Sequence, residues 1–431
     1  MNNDPVVIVS AARTPMGTFQ GGFSSLTAPI LGAVAIKAAI ERSGLDASLV
    51  EEVLMGCVLP AGQGQAPTRQ AALLANLPLT AGCTTISKVC GSGMKATMIG
   101  HDGIVANSYT VTVAGGMESM TNAPFLLPKA RGGYRLGHGQ VIDHMFMDGL
   151  EDAYSKENRG RLMGTFAEDC AGSYQFTREA QDDYAIRSTK RAQEASNNGS
   201  FNWEIAPVTV SGRKGDVLIG KDEGPFAVNI EKIPELKPAF KKDGSVTAAN
   251  SSSISDGAAA LVLMKESHAR KLGLQPLARI VGHANNAFTP ALFPTAPVGA
   301  IQKLLQKINW TTESVDLYEI NEAFAVVAMA AMHDLKLPAE KVNIHGGACA
   351  LGHPIGASGA RIVVTLLGAL KKYGLKRGVA SLCIGGGEAT ALAIEMYWEQ
   401  PDDINDRTRN DSRLDALFCA RASRTICSRM G

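Results

Sequence analysis

Cys90 and His353 occupy settings that favour nucleophilic chemistry. Cys90 lies directly before Gly91-Ser92-Gly93, which opens a predicted helix. A thiol at a helix N-terminus faces unpaired N–H groups that stabilise the thiolate. His353 lies in a glycine-rich stretch rather than on an apolar face, and an imidazole can accept a thiol proton near neutral pH. The pattern predicts a cysteine–histidine pair; the alternative for Cys90 is a small buried core residue.

A second cysteine lies beside another glycine-rich turn. Cys383 ends a predicted strand just before Gly385-Gly386-Gly387, and such a turn can present backbone N–H groups to a carbonyl oxygen. Asn321 comes before a strongly apolar segment, where it is either a helix N-cap or a catalytic residue. Ser251-Ser252-Ser253 is typical of a turn.

Two other motifs point to chemistries that the remaining sequence disfavours. Gly91 to Ala96 matches G-x-G-x-x-A, but a dinucleotide fingerprint follows the first strand and precedes an acidic residue about 20 positions later. A tight strand-to-helix turn is the favoured interpretation. His345-Gly346-Gly347 is similar to a lipase oxyanion loop, but the chain has no G-x-S-x-G.

The elements around these residues follow an α/β pattern that occurs twice. Ser92-Gly93 opens a predicted helix that leads to a strand before Gly115-Gly116, and Ser358-Gly359 opens another that leads to Cys383. The repetition predicts two similar halves, each a sheet covered by helices. In the first half we predict strands at 6–9, 53–55, 84–89 and 110–114, and helices at 31–43 and 94–105.

The predicted domain organisation has four parts. Residues 1–119 form the first half, which is completed by about 254–276, and residues 277–398 form the second half. Residues 120–253 are rich in Gly, Pro and charge, with one strong helix at 178–196, and we interpret them as an inserted loop domain over the site. The stretch 399–431 shows no periodicity and is an atypical tail.

Composition excludes several function classes. The 431 residues are 45% hydrophobic and 19% charged, with net charge +1, which gives no electrostatic case for nucleic acid. No apolar run reaches the ~18 residues of a membrane span, and the N-terminus lacks a signal-peptide pattern. Eight cysteines without a CxxC spacing are typical of reduced thiols, and no metal site is predicted. We expect a cytoplasmic protein.

Five segments in order resemble the thiolase family, and the resemblance extends from about Val6 to Tyr397. They are Ser87 to Gly93, Ala114 to Met120, Asn321 to Phe324, Gly352 to Gly356 and Cys383 to Gly387. The resemblance implies duplicated βαβαβαββ halves in a five-layer αβαβα arrangement, with an inserted loop domain. It also implies a homodimer or homotetramer.

Catalytic roles follow from the resemblance, position by position. Cys90 would be the nucleophile that carries the acyl group as a thioester, and His353 would activate it. His353 and a water held by Asn321 would form one oxyanion hole, and the N–H groups of Cys90 and Gly385 the other. Cys383 would be the proton acceptor and donor at the α-carbon of the second substrate.

Substrate contacts are implied in the same way. Ser252 would contact the pantetheine arm of CoA, Ala323 and Phe324 would line its tunnel, and Met163 would shape the acyl pocket. The substrates would be acetyl-CoA, acetoacetyl-CoA and CoA, with no metal or redox cofactor. The reaction would be condensation of two acetyl-CoA molecules into acetoacetyl-CoA and CoA, or the reverse.

Some positions depart from the family pattern, and alternatives remain. Leu162 stands where many short-chain members have histidine, and His345 where asparagine is common, whereas Phe293 to Pro297 resembles acetoacetyl-CoA thiolases. The alternatives are a broad-range degradative 3-ketoacyl-CoA thiolase and a CoA-binding relative without catalysis. A ketoacyl synthase is disfavoured, because Cys383 stands where that enzyme would use a second histidine.

Overall fold

The computed structural model describes residues 4–213 and 215–397, so the tail predicted at 399–431 lies outside the described residues. The first half alternates strands and helices. Its elements are β1 (Val6–Arg13), β2 (Gly17–Thr18), α1 (Ala28–Ser43), β3 (Glu52–Gly56), α2 (Pro67–Leu74), β4 (Gly82–Ile86), α3 (Ser92–Val105) and β5 (Val111–Ser119). Helix α1 ends at Gly44, whose φ of 70° is left-handed, as its sequence predicts.

The segment after β5 contains more helix than its composition suggests. Its elements are β6 (Phe125–Leu126), β7 (Ile142–Asp143), α4 (Met163–Tyr174), α5 (Arg178–Asn197), β8 (Val208–Gly212), β9 (Gly215–Ile219) and α6 (Gly224–Ala227). Helix α5 matches the predicted helix, and the Thr177 side chain accepts a hydrogen bond from Ala180 N–H as its N-cap. Helix α4 was not predicted, because Leu162 provides no side-chain cap and two glycines interrupt its pattern.

The chain then returns to the sheet and builds the second half. Its elements are β10 (Ser255–Lys265), α7 (Glu266–Lys271), β11 (Ala278–Ala287), α8 (Ala296–Ile308), β12 (Leu317–Ile320), α9 (Ala325–Leu335), α10 (Ala348–Leu351), α11 (Ser358–Tyr373), β13 (Arg377–Ile384) and β14 (Glu388–Met396). Among the described residues, no helix is long and apolar enough to cross a membrane.

Strand pairing repeats between the halves. The sheet order is β4-β3-β5-β10-β1-β11-β14-β13-β12, with β3 parallel to β4 and β5, and β10 antiparallel between β5 and β1. Correspondingly, β12 is parallel to β13, and β14 is antiparallel between β13 and β11. A parallel bridge from Tyr318 to Val342 takes the position of β4. The duplicated α/β fold predicted from the repeated motifs is confirmed.

Helices α3 and α11 form the layer between the two halves. Met94 and Met98 of α3 and Ile362 and Leu366 of α11 belong to one buried cluster with side chains from strands of both halves. Helix α1 covers the opposite face of the first half, and α8 and α9 cover that of the second. Because α3 and α11 begin just after Cys90 and His353, their pairing brings the two predicted catalytic residues together.

Strand β5 is longer than predicted. The sequence places its end at Ala114, before a turn at Gly115-Gly116, but the strand continues to Ser119. A Cβ on Gly116 would overlap the carbonyl oxygen of Gly356. These glycines therefore do not form a turn. They allow the strand to lie close to the loop that contains His353 and Gly356, called the His353 loop below.

Candidate active site

Cys90 lies in a strained turn before α3. Val89 has a φ of 44°, which is unfavourable for a β-branched residue. Ser92 holds the turn, because its hydroxyl accepts a hydrogen bond from Lys88 N–H (2.8 Å) and donates one to Val89 O (2.7 Å). No sequence pattern indicates this strain. The turn presents the thiol of Cys90 to a cavity.

The thiol of Cys90 is protonated at neutral pH. Burial raises its pKa to about 11, although the backbone N–H groups of Gly385 and of Cys90 itself hydrogen-bond to the sulfur and lower the pKa. Backbone N–H groups do stabilise the thiolate, but those on the sulfur belong to Gly385 and Cys90 itself, and desolvation outweighs them. Cys90 needs a base to become a nucleophile.

His353 is held as a neutral imidazole with one nitrogen free. Its Nδ1 lies 2.5 Å from the hydroxyl of Ser358, and that hydroxyl donates its proton to Pro354 O (3.0 Å). With the Ser358 proton on Pro354 O, we assign the imidazole proton to Nδ1. Nε2 is buried and has no partner among the described residues. Burial, together with the charge of Arg361, lowers the pKa of His353 to about 3, so Nε2 offers a lone pair.

Asn321 is not a helix N-cap. It follows β12, its N–H bonds Ser381 O (3.0 Å), and α9 begins only at Ala325 with Phe324 as the N-cap. The side-chain oxygen accepts a hydrogen bond from Arg361 (3.4 Å). Its Nδ2 is buried without a partner in the described part of the chain, so this N–H₂ group is available to a water or an oxyanion.

Cys383 lies near the end of β13, and Gly385 lies on the turn that joins β13 to β14. Burial raises the pKa of Cys383 well above its ordinary value, and the Cys90 thiolate, when it forms, raises that pKa further, so the two thiols are neighbours. Gly386 and Gly387 have φ of 95° and 79°, which favours glycine. The hydroxyl of Tyr154 donates to Gly385 O (3.2 Å) and so anchors this turn.

A largely apolar cavity of about 340 Å³ brings most of the predicted residues together. Its wall includes Cys90, Met163, Ser252, Ala323, Phe324, His353 and Gly385. The backbone N–H and the hydroxyl of Ser252 both donate to Ala323 O (2.9 Å each), which joins two sides of this wall. Asn321 and Cys383 are buried but are not among the residues that line the cavity.

Glu118 is a buried carboxyl that sequence reasoning did not single out. It accepts hydrogen bonds from the N–H groups of Val58 (2.9 Å), Leu59 (3.2 Å) and Gly356 (2.9 Å). Burial raises its pKa to about 7. Glu118 thereby ties the His353 loop to the end of β5. The available signal was an acidic residue inside an apolar, glycine-rich strand.

Glu322 has the same kind of role next to Asn321. Its carboxylate accepts hydrogen bonds from Tyr184 (3.0 Å), Ser188 (2.7 Å), Asn343 (2.9 Å) and Cys349 N–H (3.0 Å). It connects α5 of the loop domain to the segment that leads to His353. An acid that immediately precedes a long apolar run was the sequence signal.

His345 does not line the cavity. Its ring packs edge-on against Phe201 with centroids 5.7 Å apart, and its Nε2 lies 3.4 Å from the hydroxyl of Tyr373. Burial lowers its pKa to about 4. The amide that supports this segment belongs to Asn343, which bonds both the N–H and the C=O of Ile320 (2.8 Å each).

A duplicated α/β fold with a cysteine and a histidine on the wall of one cavity is typical of enzymes that use a cysteine nucleophile. Residues 6–267 match the family model "Thiolase, N-terminal domain" and residues 274–396 match "Thiolase, C-terminal domain". The chain belongs to the thiolase family.

Similar proteins cover nearly the whole described chain. Acetyl-CoA acetyltransferase 1 of Arabidopsis thaliana is 52% identical over 398 residues, which is 92% of this chain and 95% of the relative. Acetyl-CoA acetyltransferase of Cupriavidus necator is 48% identical over 90% of this chain and 99% of the relative. The crystal structure of the Bacillus anthracis acetyl-CoA acetyltransferase superposes with a TM-score of 0.88 at 43% identity, over 91% of this chain and 99% of that one.

Proposed function

We propose that the protein joins two acetyl-CoA molecules into acetoacetyl-CoA and CoA, and catalyses the reverse thiolysis. The observation that carries the proposal is the buried, unpartnered Nε2 of His353, which shares a cavity with the protonated thiol of Cys90. Relatives about 50% identical over nine-tenths of the chain are named acetyl-CoA acetyltransferase, which supports the choice of substrate.

Acyl transfer begins with proton transfer from Cys90 to His353 Nε2. The thiolate attacks the carbonyl carbon of acetyl-CoA, the carbon–sulfur bond to CoA breaks, and the proton leaves with the CoA thiol. The N–H groups of Gly385 and Cys90 converge on the Cys90 sulfur, where they are positioned for the oxygen of the thioester. Because these N–H donors are already in place in a water-poor cavity, they stabilise the negative charge that develops on the thioester oxygen without having to reorient.

Condensation follows when a second acetyl-CoA loses an α-proton to Cys383. The resulting carbanion attacks the acetyl carbon on Cys90, the product acetoacetyl-CoA leaves, and the proton returns to the Cys90 sulfur. Because the imidazole proton is assigned to Nδ1, Nε2 of His353 has no proton to donate at this step, and the enolate oxygen would instead accept a hydrogen bond from a water held by Asn321 Nδ2. The buried Asn321 N–H₂ group without a partner among the described residues supports this second oxyanion hole.

Replacement of each cysteine tests the division of roles. With Cys90→Ser, we expect no acetyl-enzyme by mass spectrometry after incubation with acetyl-CoA, and no thiolysis of acetoacetyl-CoA. With Cys383→Ala, the acetyl-enzyme should form while condensation stops. Turnover by the Cys90 variant would overturn the mechanism, and loss of acylation in the Cys383 variant would overturn the assigned roles.

The acyl pocket supports a short-chain substrate. A methyl group added to Gly385 would lie 3.5 Å from the sulfur of Met163. Met163 therefore limits the space beside the acyl-carrying thiol. We expect faster cleavage of acetoacetyl-CoA than of longer 3-ketoacyl-CoAs, and Met163→Ala should raise the relative kcat/KM for a six-carbon substrate by about tenfold. Met147→Ala, an exposed methionine outside the cavity wall, is the control. Equal rates for longer chains in the native protein would instead indicate a broad-range degradative thiolase.

We propose further that the protein is a cytoplasmic homodimer or homotetramer of fatty acid metabolism that needs no cofactor. Among the described residues, the outer edge of β4 pairs with no strand, which supports assembly through this edge. Sedimentation velocity would measure the oligomeric state.

Residues 120–253 contribute Met163, Phe240 and Ser252 to the cavity wall, which supports their proposed role as a loop domain over the CoA site.

A further inference from the structure

Two histidines and an aspartate converge at a second place, outside the active site. Asp102 Oδ1 lies 3.0 Å from His101 Nδ1 and 2.8 Å from His283 Nε2. All three donor atoms lie within 4.8 Å of one another. The two histidine side chains are mostly buried, with 18% and 11% exposed, whereas that of Asp102 is 58% exposed.

We propose that His101, Asp102 and His283 form a binding site for one Zn²⁺ ion. Imidazole nitrogen and carboxylate oxygen are zinc ligands at about 2.0–2.2 Å, and tetrahedral geometry puts neighbouring ligand atoms about 3.3 Å apart. Two of the three separations are already within about half an ångström of that value. Closing the site requires only that the two imidazole rings approach each other, and the exposed side of Asp102 leaves the fourth position to water.

The surroundings bear on the strength of the site. The imidazole rings meet edge to face with centroids 5.0 Å apart, so the two nitrogens approach the carboxylate from different directions. Lys307 is a cation beside His283, and its ammonium group donates to the carbonyl oxygen of His283 (3.2 Å). The single negative charge of Asp102 faces the ion, so binding of moderate strength is expected.

The ion would connect the two halves of the fold. His101 and Asp102 lie on α3 of the first half, and His283 lies on β11 of the second. His101 is eleven positions after Cys90, which is about 16 Å along the chain at the helical rise. The proposed zinc therefore stabilises the contact between α3 and β11 and takes no part in acyl transfer.

Metal titration of the chelator-treated protein tests the proposal. We expect calorimetry to give one Zn²⁺ per chain at this site and a melting temperature raised by about 2 °C or more at saturation. Co²⁺ should give the visible absorption of a tetrahedral nitrogen and oxygen site without thiolate charge-transfer bands, which separates this site from the eight cysteines.

Matched variants complete the test. His101→Ala and His283→Ala should each weaken binding at least about tenfold and abolish the rise in melting temperature, while acetoacetyl-CoA thiolysis stays unchanged. His333→Ala is the control, because His333 makes the same neighbouring contact to Asp334 (2.9 Å), and no second histidine joins that pair among the described residues. Absent binding, or Zn²⁺ and Co²⁺ affinities that both cluster variants leave unchanged, would overturn the proposal.

Discussion

At the residue scale, the reactivity of Cys90 depends on which nitrogen of His353 carries the proton. We assign this control to Ser358, because a hydroxyl that donates its proton to Pro354 O can only accept a hydrogen bond from Nδ1. The unprotonated Nε2 is then available as the base on the wall of the cavity. The protein therefore controls this histidine through its tautomer, since burial keeps the ring neutral over the whole physiological range.

Ser358→Ala should lower kcat for thiolysis of acetoacetyl-CoA about 10- to 100-fold with little change in KM. Without the hydroxyl, His353 can rotate or adopt the tautomer that is protonated on Nε2, and general base catalysis is lost. Thr365→Val is the control, because it removes another buried hydroxyl from α11 that bonds Glu204 (3.2 Å) instead. Equal loss of activity in both variants would mean that Ser358 only stabilises the helix.

At the scale of elements, the loop that carries His353 depends on a close approach between two backbone segments. The loop of His353 lies directly on β5 because Gly116 lacks a side chain there, and Glu118 of the same strand binds Gly356 N–H (2.9 Å). The position of His353 is therefore set by a strand more than 230 residues earlier in the chain. A change in that strand is expected to affect catalysis without touching substrate.

Gly116→Ala should destabilise the protein by about 1–3 kcal/mol and reduce activity, because the new methyl group displaces the loop that carries His353. Thermal unfolding and thiolysis rates measure the two effects. In Gly172→Ala the added methyl group meets no neighbour within 4 Å, so that variant of α4 should keep native activity. Native activity in the Gly116 variant would show that the loop can move away without consequence.

At the scale of the whole molecule, buried charges connect segments that are distant in sequence. Arg13 binds Glu204 and Asp222 at 2.6 Å each, and all three side chains are fully buried. Arg361, a second fully buried cation, lies 3.8 Å from Glu319 and hydrogen-bonds the active-site residue Asn321 (3.4 Å). A paired buried charge costs several kcal/mol when its partner is removed, which makes this network a determinant of the native fold.

Glu319 makes the stability of the folded protein depend on pH. Burial raises its pKa from 4.5 to about 8, so the folded protein holds a proton that the unfolded chain releases. Its contribution to stability is therefore complete below about pH 4.5 and is lost as the pH rises through about 8. Glu319→Gln, which stays neutral, should gain melting temperature relative to the native protein between pH 5.5 and 8.5. Glu235→Gln, at an exposed position, is the control. Its difference in melting temperature from the native protein should stay constant over this pH range.

Much of the fold and site was determined by the sequence alone. The five motif segments indicated the family, and the repeated glycine pattern indicated two α/β halves, because local patterns of apolar and turn residues act over short stretches of chain. Cys90, His353 and Gly385 were identified in this way, and all three line one cavity. Their catalytic roles remain predictions that the cysteine and serine variants test.

Only the tertiary structure decided the protonation states and the contacts of these residues. Burial, not the helix N-terminus, sets the pKa of Cys90, and a contact with Gly356 keeps Gly116 within β5. Asn321 is freed from a capping role because the chain turns once more before α9 begins. The metal-ligand cluster likewise joins His101 to His283 across the two halves. Each of these depends on contacts between residues far apart in sequence, which a local pattern does not encode.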